Sequence, residues 1–261
     1  MTNSYLQAGL QAVAQAGPIA LEYFRKAMVV DDKSSGAFYD PITDADRRIE
    51  ASIREALSAQ FPEHRIIGEE FGDTGSGNTY WIIDPIDGTR AFISGMPSWG
   101  VLLGLVINGA PSVGIMHQPF TGETFYGATG EGAFLNHQGL DTRLSVSPRK
   151  SLADAILYST HPSMFTMSGL DEEYRRLASA CRLQRFGGDC YGFALLAAGC
   201  IDLMVESLLQ PYDIIPLIPI IEMAGGVVSD LEGKCPLEGG TVIAAANREL
   251  HQAALEILRG K

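Results

Sequence analysis

Cysteine is scarce in this chain and carries no pattern. Cys181, Cys190, Cys200 and Cys235 are the only four, and none forms a CxxC pair. That excludes a zinc knuckle and a disulfide framework and fits reduced thiols in the cytoplasm, with Cys181, Cys190 and Cys200 as small core residues. The five histidines are scattered, and His117, His137 and His161 show no ligand spacing. Basic residues are outnumbered, 19 Lys and Arg against 31 Asp and Glu, for a net charge of −12 with histidine neutral. A surface of that sign repels nucleic acid and anionic membranes. Long unbroken hydrophobic runs are also missing. Residues 1–21 carry no charge, but Gln7, Gln11 and Gln15 recur every fourth residue and form the wet face of an amphipathic helix whose other face holds Leu6, Leu10 and Val13. The uncharged stretch from Ala91 to Gly122 is interrupted by Gly95, Pro97, Gly100, Gly104, Gly109, Pro111, Gly114 and Pro119. A membrane helix does not tolerate that number of breakers, so the stretch reads as buried strands around an Asn-Gly turn.

What is present is enough apolar material, 46% of 261 residues, for one large domain or two small ones. A mixed segment runs to Tyr39. Thr43 then caps a helix in which Ala45, Ile49, Ile53 and Leu57 form a core stripe ending at Phe61-Pro62. Strands are expected at Arg65 to Ile67 and Trp81 to Ile83, with a Gly/Ser/Thr-rich loop from Gly72 to Thr79 between them. A hairpin follows around Asn108-Gly109 (Val101 to Ile107 and Ser112 to His117), then strands at Thr124 to Ala128 and Ala133 to Leu135. The first half thus reads as helices on a largely antiparallel sheet. Beyond a boundary near Arg143 to Ser151, strands at Ala155 to Tyr158, Ile201 to Val205, Val227 to Asp230 and Thr241 to Ala245 alternate with helices. Those are expected at Leu170 to Cys181, Gly188 to Gly199, Asp213 to Ala224 and from Arg248. Alternation of this kind implies crossover connections and a layered second half. The division predicted is a 1–150 α+β part carrying metal ligands and a 151–261 α/β part carrying substrate-recognition residues, in one compact unit.

The most informative segment is Trp81-Ile82-Ile83-Asp84-Pro85-Ile86-Asp87-Gly88-Thr89-Arg90. An apolar strand delivers Asp84 at its end, Pro85 sets a turn, and Asp87 returns three residues later, so both carboxylates can converge beyond the strand. Gly88 permits close backbone approach, and the amides of Gly88 and Thr89 can face an anion if a helix starts there. Gly68-Glu69-Glu70 also follows a strand, and Tyr212-Asp213 opens a helix. Several carboxylates in one cleft repel each other unless cations are present, and hard oxygen donors without His or Cys favour Mg²⁺. Each residue also has a plainer reading. Asp46 at the third helical position, Asp213 and Asp189 can each serve as a helix cap, and Arg90 and Arg185 as surface ion-pair partners.

Gly68-Glu69-Glu70, Asp84-Pro85-Ile86-Asp87-Gly88-Thr89 and Tyr212-Asp213 followed by Gly225-Gly226 resemble, in order and spacing, the inositol monophosphatase family of Mg²⁺-dependent, lithium-sensitive phosphatases. Asp87 to Ile93 with Gly95 and Trp99, and Arg185 to Gly192, resemble its histidinol-phosphate phosphatase branch. The resemblance implies an αβαβα sandwich, with an antiparallel sheet first and a mixed sheet second. It also implies two or three Mg²⁺ ions. Glu69, Asp84 and the Ile86 carbonyl would hold one, Asp84, Asp87 and Asp213 a second, with Glu69 helping to bind a third, weaker ion. Asp46 with Thr89 would position and deprotonate the attacking water. Gly88 and Thr89 would meet the phosphate, and Arg185, Asp189 and Glu206 the rest of the substrate, while Glu70 is left as a neighbouring or solvated acid.

The expected reaction is hydrolysis of L-histidinol phosphate to L-histidinol and phosphate, in histidine biosynthesis. An inositol monophosphatase or a broader sugar and nucleotide phosphatase is the alternative, and a non-catalytic metal- or phosphate-binding regulator the alternative of another class. The expected partner is a small phosphorylated metabolite, with no nucleic acid and no membrane. The family also implies a homodimer, with the uncharged stretch from Phe92 to Gly104 as an interface. Pro216 and Pro219 depart from the family pattern, and Pro219 implies a kink or a shifted start in the helix after Asp213.

Overall fold

The computed structural model describes residues 4–27, 30–32 and 41–260. Much of the mixed segment expected up to Tyr39, residues 28–29 and 33–39, lies outside them. In chain order the elements are α1 (Ser4–Tyr23), β1 (Val30–Asp32), β2 (Pro41–Thr43), α2 (Asp44–Gln60), β3 (Arg65–Gly68), β4 (Gly72–Thr74), β5 (Thr79–Asp87) and α3 (Thr89–Ser94). Next come β6 (Gly100–Ile107), β7 (Ala110–Gln118), β8 (Glu123–Ala128), β9 (Gly132–His137) and β10 (Leu140–Arg143). The second half comprises β11 (Ile156–Ser159), α4 (Ser163–Ser168), α5 (Asp171–Ala180), β12 (Leu183–Phe186), α6 (Asp189–Ala197) and β13 (Leu203–Leu209). It closes with α7 (Pro211–Ile214), α8 (Ile218–Met223), β14 (Val227–Asp230), β15 (Gly240–Ala245) and α9 (Arg248–Leu258).

An eight-stranded sheet in the order β10-β9-β8-β7-β6-β5-β3-β4 is antiparallel except for the β3–β5 pair. The chain leaves it at Arg143 and enters a mixed five-stranded sheet, β12-β11-β13-β15-β14, at Ile156. Helices α1 and α2 cover one face of the first sheet, α6, α7 and α8 lie between the sheets, and α4, α5 and α9 cover the far side. The result is five layers, αβαβα. Both faces of the first sheet are therefore buried, which is why its central strands read as continuous apolar runs. Along β6 the pleat sends Leu103 and Leu105 toward α1 and α2, and Leu102 toward the inter-sheet helices, where it joins Phe193, Met204 and Ile220.

The α2 stripe Ala45, Ile49, Ile53 and Leu57 is wholly buried, and Gln7, Gln11 and Gln15 face solvent. The β6–β7 hairpin turns through Asn108 (φ 51) and Gly109 (φ 80), the left-handed pair a two-residue turn requires. Four expectations need correction. The loop from Gly72 to Thr79 contains β4, which pairs with β3. The helix from Asp213 to Ala224 is two helices, α7 and α8. Pro216 lies between them, and its carbonyl sits so close to β7 that a Cβ on Gly114 would fall 2.0 Å from it. Of the stretch from Phe92 to Gly104 only residues 93–98 reach the surface, since Phe92 and residues 99–104 are buried in the chain's own core. Cys200 is exposed, whereas Cys190 is buried and Cys181 half-buried. No helix among the described residues is long and apolar enough to cross a membrane.

Where α1 crosses β7, His117 is held between Thr124 Oγ1, 2.9 Å from its Nδ1, and the backbone of Gly17. Burial pushes this imidazole down to about 4. The unfolded chain binds its proton near 6.5, so stability is lost as pH falls from 6.5 toward 4. The loss by pH 4.5 amounts to about 2–3 kcal/mol. Urea unfolding of the protein and of His117→Gln at pH 7 and pH 4.5 checks this: the variant lacks that share of the acid sensitivity, and equal sensitivity in both would refute it.

Candidate active site

Strand β5 carries the first two acids. In a regular strand residues three apart point to opposite faces, yet Asp84 pairs with Leu102 and Asp87 with Gly100, so one extra residue is accommodated on the β5 side. This bulge, which takes up Pro85, turns both carboxylates the same way. Asp84 Oδ1 accepts from the amide of Ile86 at 3.0 Å, and Thr89 Oγ1 donates to the Ile86 carbonyl at 3.0 Å, closing the turn from both ends. Gly88 lies at φ 81, ψ 39, where a side chain is strained. A Cβ there would also come within 3.0 Å of Asp189 and 3.1 Å of the Trp99 backbone.

The third acid arrives from the second half. Asp213 sits in the first turn of α7 and accepts from the amide of Gln210 at 2.7 Å, so it does cap its helix. It nevertheless reaches the other two, and one oxygen each of Asp84, Asp87 and Asp213 lie within 4.8 Å of one another. Asp84 is buried, while Asp87 and Asp213 are partly exposed, leaving the cluster open on one side. Asp46 is likewise a cap in fact: its Oδ2 accepts from the amide and hydroxyl of Thr43, at 2.8 and 2.6 Å.

Burial, first of all, raises the Asp84 carboxyl well above the carboxylate range, and the negative charges of Glu69, Asp87, Asp213 and Asp46 raise it further. Asp87 is raised by burial and by Asp213 and Asp189, against a 2.6 Å bond from the amide of Cys190. Like charges crowded in this way recover little hydration, and burial together with mutual repulsion sets Asp84 and Asp87 apart from ordinary solvated acids. A hard divalent cation would relieve that repulsion, and the donors fit one, since all are oxygens. The nearby sulfur of Cys190 is buried beside Asp87, which pushes its thiol up and keeps it neutral.

Beside the cluster lies a cavity of about 440 Å³ walled by Met96, Tyr158, His161, Arg185, Phe186 and Asp189, among others. Asp189 stands at the junction. It opens α6 at φ 44, its carboxylate accepts from Ser98 Oγ at 2.8 Å, and its amide donates to Thr160 Oγ1 at 3.0 Å. Burial raises its carboxyl, while the Ser98 bond and the positive charge of Arg90 hold it down. The Thr160 amide in turn donates to Glu206 Oε1 at 2.6 Å, and the other oxygen of this buried glutamate has no hydrogen-bond partner among the described residues. Burial lifts Glu206 well above the usual range. Arg185 is exposed on β12 at the cavity rim.

The structure thus brings Asp84, Asp87 and Asp213 together, sets Glu69 and Asp46 in electrostatic reach of Asp84, and sets Asp189 on the cavity wall, with Glu206 buried and bonded to the amide of Thr160, which lines the cavity. Sequence reasoning missed Ser98, Thr160 and His161, which stand as common polar residues in unpatterned surroundings. It also missed Glu50, which shares a face of α2 with Asp46 through four-residue spacing.

The profile of the Inositol monophosphatase family matches residues 2–261. This chain belongs to the inositol monophosphatase family. The chloroplastic bifunctional phosphatase IMPL2 of Arabidopsis thaliana is 36% identical over 260 residues, 95% of this chain and 73% of that protein. A histidinol-phosphatase of Chlorobaculum parvum is 36% identical over 247 residues, 94% of this chain and 93% of that one. An inositol monophosphatase from Zymomonas mobilis, 33% identical, superposes with a TM-score of 0.86 over 98% of this chain and 99% of its own. The family is one of metal-dependent phosphatases, so phosphoric monoester hydrolysis is the activity of this chain at family level.

Proposed function

We propose that the protein hydrolyses L-histidinol phosphate to L-histidinol and phosphate. The observation that carries this reading is Asp189, an acid seated between the carboxylate cluster and a cavity with aromatic walls at Tyr158 and Phe186. A leaving group that joins a cationic amine to a flat imidazole suits an acid beside aromatic faces, and the cavity has the size of small-metabolite sites. The histidinol-phosphatase relative supports the same choice.

In this reading Glu69, Asp84 and the Ile86 carbonyl hold one Mg²⁺, Asp84, Asp87 and Asp213 hold a second, and Glu69 contributes to a third. Bound there, the ions supply neutralisation of the phosphate and a water of lowered pKa. The chain's own groups do the rest. Asp46 takes the proton of the attacking water and Thr89 orients it. Gly88 and Thr89 lie against the phosphate, while Asp189, Glu206 and Arg185 hold the alcohol end.

Steady-state kinetics on histidinol phosphate and myo-inositol 1-phosphate, each with Mg²⁺, test the substrate. A higher kcat/KM on histidinol phosphate is expected, and an equal or higher value on the inositol ester would overturn the reading while leaving phosphatase chemistry intact. Asp189→Asn is expected to lower kcat/KM on histidinol phosphate by about 10- to 100-fold, the equivalent of about 1.4–2.7 kcal/mol. The same change should alter turnover of a neutral alcohol phosphate much less. Equal losses on both esters would assign Asp189 to the general architecture instead.

A further inference from the structure

Glu50 is a fully buried carboxylate, 0% exposed, that belongs to neither the cluster nor the cavity. It stands on α2 four residues after Asp46, so the two share a helix face. Its Oε1 accepts from Arg54 Nε at 2.7 Å and from the amide of Phe71 at 3.2 Å, and its Oε2 accepts from the amide of Glu70 at 2.7 Å. Those two amides immediately follow Glu69, in the three-residue loop that joins β3 to β4. The fit is close enough that a Cβ on Gly68 would lie 2.0 Å from Glu50 Oε1. Arg54 extends the grip, donating to Thr74 Oγ1 at 2.8 Å on β4 and to the Gly72 carbonyl at the end of the loop. Glu69 itself is tied from the other side, its amide donating to the Ile83 carbonyl of β5 at 3.2 Å.

We propose that the Glu50–Arg54 pair is a positioning device for the metal site, holding the Glu69 loop so that the Glu69 carboxylate faces Asp84. This rests on the reading of Glu69 as a ligand given above. A buried ion pair contributes little net stability compared with apolar side chains of the same volume, so stability alone is a weak reason for one here. Its specific product is geometry. Three donors converge on one carboxylate, and they hold a loop of three residues between two strands and a helix. Glutamine cannot reproduce this, because its amide nitrogen is a donor and one of the three donors then faces another.

The test is calorimetric titration of the whole protein with Mg²⁺, alongside thermal unfolding in chelator and kinetics against Mg²⁺ concentration. Glu50→Gln is expected to weaken Mg²⁺ binding by about 10- to 100-fold, the range typical of groups that orient metal ligands. With Mg²⁺ at saturation, KM for the ester should be unchanged and kcat should largely recover. Arg54→Lys, which keeps the charge but loses the fork, should shift the Mg²⁺ dissociation constant in the same direction by less. It carries the test if Glu50→Gln does not fold. A dissociation constant within about twofold of the parent in the folded variants, well short of that range, would overturn the proposal, even if the unfolding temperature drops. Glu69→Gln separates the two layers of the argument. Weakened binding in Glu69→Gln without weakening in the other two variants removes the positioning role alone, whereas unchanged binding in Glu69→Gln removes the ligand and the device together.

Discussion

Asp87→Asn is expected to lower Mg²⁺-supported kcat/KM by about 10³-fold or more, equivalent to about 4 kcal/mol of transition-state stabilisation, while the protein stays folded. The side chain is nearly isosteric, and its carbonyl oxygen can still accept from the amide of Cys190, the bond of 2.6 Å that anchors Asp87 to the start of α6. What is lost is a negative charge next to Asp84 and Asp213. In the metal-free chain that charge is a burden, because the carboxylates repel one another. The variant should therefore unfold at the same temperature as the parent in chelator, or higher. With Mg²⁺ present the ranking should reverse, since only the parent has the full donor set. Full activity in Asp87→Asn would remove Asp87 from the reaction, and a fall in unfolding temperature in chelator would contradict the repulsion.

The second large effect is the response of stability to Mg²⁺ and pH together. The folded-state carboxyls of Asp84 and Asp87 are raised above the ordinary value of 3.8, burial being the main cause in both. Their contribution to the metal-free fold is fully present below 3.8 and is lost as pH rises through the folded-state values, because the folded chain prefers the protonated form. Mg²⁺ requires the ionised form, so its binding strengthens over the same rise in pH. At a free concentration about 100 times the dissociation constant, the ion adds about 2.7 kcal/mol to stability. For a chain of this size that corresponds to a rise of roughly 5–10 °C in Tm. Scanning calorimetry with and without Mg²⁺ at pH 5 and pH 8 should show the larger rise at pH 8. A rise independent of pH would mean that the ion binds elsewhere.

Much of this arrangement is legible in the sequence where local chemistry and tertiary demand agree. The α2 stripe with Thr43 as cap is one such place, and the strand that ends in Asp84-Pro85-Ile86-Asp87-Gly88-Thr89 is another. The edges are less legible. Strand β12, Leu183–Phe186, is a four-residue edge strand with little burial, and so lacks the alternation that marks a half-buried strand. The split between α7 and α8 is hidden for the opposite reason. These helices lie between two sheets and are apolar almost all round, so periodicity cannot locate a break, and the prolines are the one local sign of it. Glu50 is the extreme case. Its surroundings are set by a loop 20 residues away, and in the sequence it looks like any acid on a helix.

The bond between Asp87 and Cys190 spans 103 residues of chain, and Asp213 follows 23 residues later still. On a ribosome, then, the Asp84-Asp87 turn emerges long before the segments that complete its surroundings. At synthesis rates of about 5–20 residues per second, those acids wait for several seconds or more before α6 and α7 can dock. The three acids of the cluster therefore cannot come together until α7 has been made. A truncated or stalled chain that ends before α7 carries every strand of the first sheet but lacks Asp213, the third acid of the cluster.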